Sequence, residues 1–390
     1  MRPRRPTGAL VVGGDYQGLG IARSLGRHGV PVVVLDDERS ISARSRYVGR
    51  SIRVDDLRDP AAALHHLLAV GRTLPAGWVL YPTREETVVL IAEHRDQLAE
   101  LFRVPTPGID VISAAWDKRK TYLLAEQLGV PVPRHWVPAS FDELDDVDLS
   151  RPVVVKPAIK EHFFYATKVK AWRADTMADL RDAFARAVGI VGPGEVIVQE
   201  LIPGGGHDQV AYNAFFKDQA PVASMTVRRL RQHPSDFGRA STYVESADLF
   251  SLEDMATRFL KAIDYYGLVE LEFKVDGRDG QPKLLDVNAR TWGYHTLGAA
   301  AGVDFPYLLY LDQVGDLVPA VRARSGVSWV RLATDVPNAL RDLRAGALDV
   351  RDYVRTLRHA DTEAVFSLDD PLPWLYEIAL LPYLAFKRGL

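Results

Sequence analysis

An acid, an asparagine and an arginine occupy alternate positions in KLLDVNARTWG, the segment at residues 283–293. Alternate side chains of a β-strand share one face, so we expect Asp286, Asn288 and Arg290 to point the same way. Glu272 lies in the preceding segment VELEFKVDG, which we predict to form the adjacent strand of a hairpin. Carboxylate and amide oxygens suit Mg²⁺, whose shell is usually completed by water and nucleotide phosphates. Arg290 would then stabilise a transferring phosphoryl group or hold an anionic substrate.

Two lysines are candidates for binding an anionic ligand. Lys156 ends the apolar strand RPVVVKP. Lys118 lies early in a helix that we predict to be capped by Ser113 and to end at Gly129. A lysine at the end of a buried strand is costly unless it meets an anion, and a phosphate meets that need.

The segment VIVQELIPGGGHD joins an apolar strand to a glycine turn. Its backbone N–H and C=O groups would meet the edge of a flat heterocycle, and its apolar side chains would sandwich that ring. Asp208 follows within reach of a ribose. An ordinary strand and loop is the alternative, and it stays open for this segment taken alone.

Basic side chains are concentrated in TVRRLRQHPSDFG at residues 226–238. Arg229 and Arg231 alternate there and are expected to share a face, on which they would recognise a carboxylate or a phosphate. A solvated surface is the alternative. His295 follows the predicted metal strand closely enough for a role in substrate binding.

The glycine turn VVGGDYQGLG lies between a predicted strand and a predicted helix, and Asp36 ends the next strand roughly 20 residues later. Arg23 stands where a dinucleotide motif has its third glycine, and no Lys-Ser/Thr pair follows Gly18 as in a phosphate loop. We interpret the segment as a structural turn. A substrate contact at the helix N-terminus and a dinucleotide site are the alternatives.

The elements that must position these residues follow two patterns. Residues 1–112 alternate short apolar strands with helices, starting with ALVVGG, GLGIARSLGRHG and VPVVVLDD, and therefore predict an α/β domain with a parallel sheet. Residues 113 to about 320 mix strands and helices without strict alternation, which predicts an α+β region.

Composition excludes several classes of protein. The 390 residues suggest two or three domains, and a net charge of −3 removes the broad electrostatic case for nucleic acid or an anionic membrane. The lack of cysteine excludes disulfides, thiolate zinc sites and a cysteine nucleophile. We find no secretory signal and no apolar run of about 18 residues, and expect a cytoplasmic protein without stable membrane insertion. The start MRPRRP is interpreted as a frayed terminus. We expect the tail PLPWLYEIALLPYLAF to dock on the protein body, and contact with a membrane is the alternative.

The order Lys118, Lys156, QELIPGG, Glu272 and DVNAR resembles that of the ATP-grasp superfamily. NARTWG and AGVDFPYLLY resemble its carboxylate–amine ligase branch, which is related to D-aspartate ligase. The resemblance covers residues 8 to about 315 and implies a parallel-sheet α/β domain followed by a two-lobed ATP-grasp module. The implied divisions are a pre-ATP-grasp domain at 1–112, a central or lid lobe at 113–199, a lobe with the metal site at 200–320, and an extension at 321–390.

The same resemblance implies a ligase that joins a small-molecule carboxylate to an amine through an acyl phosphate. The implied cofactors are ATP and Mg²⁺ or Mn²⁺. A homodimer is compatible with the resemblance. The implied contacts are the α- and β-phosphates for Lys118 and Lys156, adenine for Gln199, Glu200, Leu201 and Ile202, ribose for Asp208, and the metal for Glu272, Asp286 and Asn288. Other ATP-grasp chemistry, such as carboxylation or phosphoryl transfer, and a non-catalytic nucleotide-binding regulator are the alternatives.

This chain departs from the family pattern in two places. The flexible phosphate loop after the second lysine is often rich in glycine, whereas AIKEHFFYATK has none. Lys160, His162 or Lys168 would replace the backbone contacts of that loop. Asp286 stands where glutamate is commoner, which shortens the side chain but keeps the carboxylate.

Overall fold

The computed structural model describes residues 7–233 and 240–388. The basic segment MRPRRP and the end of TVRRLRQHPSDFG lie outside the described residues, so the interpretations made for them stay predictions.

The N-terminal region is a five-stranded sheet in the order β3-β2-β1-β4-β5, and every strand pair is parallel. Alternate residues of β1 pack into hydrophobic clusters on the two faces of the sheet, which explains why the whole strand is apolar. The elements of this region are β1 Ala9–Val12, α1 Tyr16–Arg27, β2 Val32–Asp36, β3 Arg50–Arg53, α2 Pro60–Gly71, β4 Trp78–Pro82, α3 Glu85–Glu93, α4 Arg95–Ala99, β5 Phe102–Arg103 and α5 Ile109–Trp116.

The middle region is a four-stranded antiparallel sheet in the order β6-β9-β7-β8. A capping box between Thr176 and Asp179 fixes the start of its long helix α8, which packs against the sheet through buried apolar residues. The elements are α6 Lys118–Gln127, β6 His135–Trp136, β7 Val153–Pro157, α7 Lys160–Thr167, β8 Trp172–Ala174, α8 Met177–Val191 and β9 Val196–Glu200.

The third region contains a sheet in the order β14-β13-β10-β11-β12-β16-β17, with β15 paired to β11. One hydrophobic cluster on this sheet includes helix α9, and another joins the sheet to the N-terminal region. The elements are β10 Gln209–Lys217, β11 Ala220–His233, β12 Ala240–Ser246, α9 Phe250–Ala262, β13 Gly267–Val275, β14 Pro282–Asn288, α10 Thr296–Ala300, α11 Phe305–Val314, β15 Val321–Arg322, β16 Ser328–Val330, α12 Leu332–Arg344, α13 Val350–Arg358, β17 Thr362–Glu363 and α14 Leu372–Arg388.

The expected cap of the helix that carries Lys118 was wrong. Ser113 lies inside α5, and Asp117 caps α6 instead, because its Oδ1 accepts a hydrogen bond of 3.0 Å from the backbone N–H of Arg119. A division of the chain after residue 112 would therefore fall inside α5.

The C-terminal tail docks on the protein body, as predicted. Asp370, just before α14, accepts hydrogen bonds from Arg23 Nε at 2.9 Å and from Ser45 Oγ at 2.6 Å. Within α14, Glu377 Oε1 accepts a hydrogen bond of 3.0 Å from Arg331 Nη2. In the part of the chain that the structure describes, no helix is long and apolar enough to cross a membrane.

Candidate active site

The predicted hairpin of β13 and β14 brings the three predicted metal ligands together. The antiparallel pairing places Glu272 opposite Asp286 and Glu270 opposite Asn288. The Asn288 amide Nδ2 donates to Glu272 Oε1 at 3.0 Å and to Glu270 Oε2 at 3.1 Å. Both amide protons are used in this way, so Oδ1 is left as the acceptor of the side chain.

Five lysines line one cavity of about 500 Å³ beside this hairpin, and the set is Lys118, Lys156, Lys160, Lys170 and Lys274. Lys118 Nζ donates to Asp286 Oδ1 at 2.7 Å, and Lys156 Nζ donates to the Tyr122 hydroxyl at 2.7 Å. Burial, with Lys118 close by, lowers the pKa of Lys156 to about 7. Burial also lowers the pKa of Lys170 to about 8. At Lys156 and Lys170 burial outweighs the effect of the neighbouring carboxylates on the pKa, so an anionic ligand would favour the charged form of both side chains.

The strand β9 and the glycine turn after it form another wall of the cavity, to which Gln199, Leu201, Ile202 and Gly204 contribute. The Gln199 Oε1 lies 2.9 Å from the Tyr122 hydroxyl. Lys274 Nζ donates to the carbonyl oxygens of Ile202 at 3.0 Å and Gly204 at 2.8 Å, which fixes the turn. The apolar side chains and the backbone of this wall match the features predicted for binding a flat heterocycle.

Two residues of the predicted nucleotide segment point elsewhere. The Glu200 carboxylate accepts hydrogen bonds from Arg278 Nη2 at 2.9 Å and Lys283 Nζ at 3.3 Å. Asp208 Oδ2 accepts from the backbone N–H of Gly205 at 3.0 Å and thereby closes the glycine turn. Any contact of Glu200 with a bound ring would therefore come from its backbone.

The two arginines expected to share a face do not meet the same acid. The pairing of β11 with β12 is irregular between Arg229 and Arg231, so the simple alternation on which that expectation rested is broken. Arg229 Nη2 donates to Glu272 Oε2 at 3.2 Å and lines the lysine-rich cavity. Arg231 forms a bidentate contact with Asp335, both hydrogen bonds being 2.8 Å. Only Arg229 therefore reaches the candidate site.

The helix α7 replaces the flexible loop expected after the second lysine. Of the three candidates there, Lys160 lines the cavity, whereas His162 Nδ1 lies 2.7 Å from Glu195 Oε1 on the surface. Lys168 ends the helix in a left-handed conformation with φ of 63° and is exposed. The structure thus brings only Lys160 of this group into the site.

Arg290 lies at the boundary between the hairpin and the N-terminal region. Its Nε lies 2.6 Å from Glu85 Oε1, and its Nη2 donates to Asn288 Oδ1 at 3.3 Å. Burial disfavours the charged guanidinium, but Glu85, Glu270 and Glu272 together raise the pKa of Arg290 above its usual value. Arg290 is therefore a permanent cation next to the predicted metal ligands.

His295 is buried against α1, next to Gly20. Its Nδ1 lies 2.9 Å from the Trp292 carbonyl oxygen, and a Cβ added at Gly20 would come within 2.5 Å of its Nε2. Burial lowers the pKa of His295 to about 4, so the ring is neutral at pH 7. This position suits packing against α1 better than direct contact with a ligand in the cavity.

The turn after β1 is filled by the protein's own side chains. The Gly14 N–H donates to Asp36 Oδ2 at 2.8 Å, and Arg84 pairs with Asp36 at 2.9 Å and with Asp37 at 2.8 Å. A Cβ at Gly18 would come within 2.0 Å of the Gly13 carbonyl oxygen. These contacts favour the structural interpretation of the glycine turn over a dinucleotide site.

Several residues of the site were not found from the sequence. Glu270 precedes Glu272 by two residues on the same strand, so the alternation applied to Asp286 and Asn288 would have found it. Tyr122 lies one helical turn after Lys118, a spacing that brings two side chains to one face. Glu85 carried no sequence signal, because only the packing of the N-terminal region against the hairpin brings it to Arg290.

Comparisons with known proteins agree with this geometry. The chain is similar to solved ligases and carboxylases with the ATP-grasp fold, and its own fold is the ATP-grasp fold. The L-amino acid ligase from Bacillus licheniformis superimposes with a TM-score of 0.62 at 17% identity, over 81% of this chain and 76% of that one. The biotin carboxylase domain of the Hydrogenobacter thermophilus 2-oxoglutarate carboxylase, solved with MgADP and bicarbonate, has a TM-score of 0.65 at 13% identity, over 83% and 74%.

A curated sequence relative points in the same direction. A D-aspartate ligase from Enterococcus faecium (strain Aus0004) is 24% identical over 213 residues, which is 52% of this chain and 50% of that protein. The chain thus spans about half the length of that relative. No family model matches the sequence. The resemblance to the ATP-grasp superfamily drawn from the order of motifs is confirmed.

Proposed function

We propose that this protein is an ATP-dependent carboxylate–amine ligase that forms an amide-type bond through an acyl phosphate and releases ADP and phosphate. One observation carries the proposal: five lysines, two carboxylates and the glycine turn after β9 converge on a single cavity of about 500 Å³. This size suits a small-molecule ligand. The two ligases among the similar proteins support carbon–nitrogen bond formation as the reaction.

ATP fits the charge and shape of the cavity. Lys118 and Lys156 would hold the α- and β-phosphates, because both side chains line the cavity and lie close to each other and to Asp286. The backbone from Gln199 to Ile202 would bind the adenine edge. Asp208 would reach the ribose only after the turn that it closes has opened, since its carboxylate now accepts from Gly205.

A divalent cation such as Mg²⁺ also fits the oxygen atoms of the hairpin. We expect the nucleotide phosphates to supply the rest of its ligands. Glu272, Asp286 and the Asn288 Oδ1 would supply hard oxygen ligands from adjacent strands. Within residues 7–233 and 240–388, no group of three or more His, Asp or Glu side chains is arranged to hold a metal ion. That arrangement matches a cation that depends on nucleotide phosphates, and the cation would neutralise phosphate charge.

The chain contributes mostly by positioning and by charge. A carboxylate is a poor acyl donor to an amine in water, and phosphorylation by ATP makes it reactive. Arg290 and Arg229 flank the predicted metal ligands and would steady the negative charge that develops during transfer of the phosphoryl group. Lys160 would do the same from the side of α7. No covalent nucleophile of the protein is needed.

Carboxylation is the second candidate function, because a biotin carboxylase domain has the same fold at a comparable TM-score. The test is a screen of amino acids and small acids, with and without amines, for ADP release, followed by mass spectrometry of the product. We expect ADP release that depends on one acid and one amine, with an amide as product. ADP release that requires bicarbonate and yields a carboxylated product would replace the ligase by a carboxylase.

A further inference from the structure

Glu85 is the acid of the N-terminal region that reaches the candidate active site. It is the first residue of α3, which follows β4 after a short turn, and only 9% of its surface is exposed. Its Oε1 lies 2.6 Å from Arg290 Nε across the boundary with the hairpin. Within the described residues this oxygen makes no hydrogen bond of good geometry, so the contact is an ion pair and not a well-aligned hydrogen bond.

The other acids of this neighbourhood already have a use. Glu272 and Asp286 face the predicted metal position, Glu161 accepts from the Trp116 indole at 3.1 Å, and Glu270 accepts from Tyr294 and Asn288. Glu85, by contrast, has its ion pair with Arg290, and its Oε1 accepts no hydrogen bond from the described residues. It also lies close enough to Lys160 and Asp286 to act on them electrostatically, so it borders the region where ATP phosphates are expected. A carboxylate at this position repels phosphate groups and attracts a positively charged group of a ligand.

Arg290 does not depend on Glu85 alone for its orientation. It also donates to Asn288 Oδ1 at 3.3 Å and to the Thr291 carbonyl oxygen at 3.2 Å. An amino acid is complementary to a neighbouring guanidinium and carboxylate. Its carboxylate would pair with the arginine, and its ammonium would pair with the glutamate. The cavity beside Arg290 holds only about 20 Å³, which is room for one water. A substrate must therefore replace the ion pair itself.

We propose that Glu85 is a specificity-determining residue that binds the ammonium group of the carboxylate substrate while Arg290 binds the carboxylate to be activated. The substrate class is then an acid that carries an ammonium one or two carbons from its reacting carboxylate. Glu85 selects this class against the same acid without the amino group. The inference rests on the proposed ligase function.

The test compares acids with and without the amino group, with hydroxylamine as the acceptor in every assay. The probes are both enantiomers of alanine and aspartate against propionate and succinate, and the readouts are ADP release and hydroxamate yield. For Glu85→Gln we expect kcat/KM for amino acids to fall at least about 10-fold, because an amide cannot pair with ammonium. The values for propionate and succinate should stay unchanged or rise, since Arg290 is then free for a simple carboxylate.

Two further variants guard against a folding artefact. Glu93→Gln removes the same charge from an exposed position of the same helix and should leave all values unchanged. Glu85→Asp keeps the charge on a shorter side chain and should give a smaller loss, again restricted to amino acids. A melting temperature for each variant shows whether it is folded.

The outcomes separate this inference from the proposed function. An equal loss for amino acids and for propionate and succinate in Glu85→Gln or Glu85→Asp would show that Glu85 only holds Arg290, which overturns its role in specificity. Wild-type turnover with simple acids at least as fast as with amino acids would overturn it too, while the ligase proposal stands. An absence of acid-dependent ADP release across the whole screen would overturn both.

Discussion

At the scale of single residues, the carboxylates of the hairpin decide whether the site can hold a metal. Glu272→Gln and Asp286→Asn should each lower Mg²⁺-dependent turnover by about 100-fold or more, because a neutral amide cannot match carboxylate charge at the cation. The measurement is ADP release over a Mg²⁺ titration. Asp279→Asn changes the exposed turn of the same hairpin and serves as the control. Wild-type turnover in either cavity variant would refute the metal assignment.

The lowered pKa of Lys156 predicts that ATP affinity depends on pH. Burial lowers its pKa to about 7, so the ammonium loses its proton as pH rises through that value. Phosphate binds the charged form and ATP binding then takes up a proton, so affinity should be highest below pH 7 and fall about fivefold between pH 7 and 8.

Lys156→Met tests this directly by calorimetry. It should weaken ATP binding and abolish this pH dependence. Its thermal stability at pH 7 should not fall, because a buried lysine whose pKa is lowered on folding costs stability below its unfolded pKa. Unchanged ATP affinity in the variant would give the lysine another role.

Local residue spacing predicted only those features of the site that depend on neighbouring residues of one strand. Asp286 and Asn288 were predicted to face the same way because strand alternation is local, and the hairpin confirms that geometry. Arg229 and Arg231 failed the same rule because a register irregularity between them is invisible in the residue pattern. Glu85 could not be predicted at all, since its contact with Arg290 spans about half the chain.

At the scale of elements, α7 joins the middle region to the N-terminal region. Tyr165 donates a hydrogen bond of 2.6 Å to Glu86 Oε1, and Arg58 lies 4.8 Å from the centre of the same ring. These contacts hold α7, with Lys160 at its start, beside the cavity. The position of α7 is therefore expected to control the access of water to a reactive acyl phosphate.

Tyr165→Phe removes that hydrogen bond and keeps the ring. We expect the ratio of phosphate released to product formed to rise about 2- to 10-fold, the equivalent of one hydrogen bond, as water competes with the amine. Tyr47→Phe removes a comparable hydrogen bond of 2.7 Å to Asp369, far from the cavity, and should leave the ratio unchanged. An unchanged ratio in Tyr165→Phe would show that the contact does not control water.

The strands of the site were predicted better from the sequence than the boundaries of its helices. The hairpin and the strand that ends at Lys156 were predicted, because buried strands leave a strong apolar pattern. The cap of α6 was misplaced, because Ser113 and Asp117 are both good caps and only the end of α5 decides between them. AIKEHFFYATK stands where the family has a flexible, glycine-rich loop, and its lack of glycine suits the helix α7.

At the scale of the whole molecule, the ordered set of motifs specified the fold, whereas the mutual packing of the regions came only from the structure. The tail shows this best, since its apolar pattern fits either a docked helix or a membrane contact. Asp370 and Glu377 decide in favour of docking by pairing with Arg23 and Arg331. Ion pairs between segments more than 40 residues apart leave no mark on local sequence.

The order of chemical steps tests the molecule as a unit. If the carboxylate is phosphorylated first, the correct acid and ATP should give a hydroxamate with hydroxylamine even without the natural amine, and the amine should divert the same intermediate to an amide. Arg290→Ala should lower hydroxamate and amide formation together by about 100-fold, because both follow the same transfer of the phosphoryl group. ATP binding should change by only about threefold, since the lysines and the β9 wall remain. The measurement is the yield of each product beside the nucleotide released. Amide formation with AMP as the nucleotide product and no trappable acyl phosphate would show adenylation, and would overturn both the proposed reaction and the role given to Arg290.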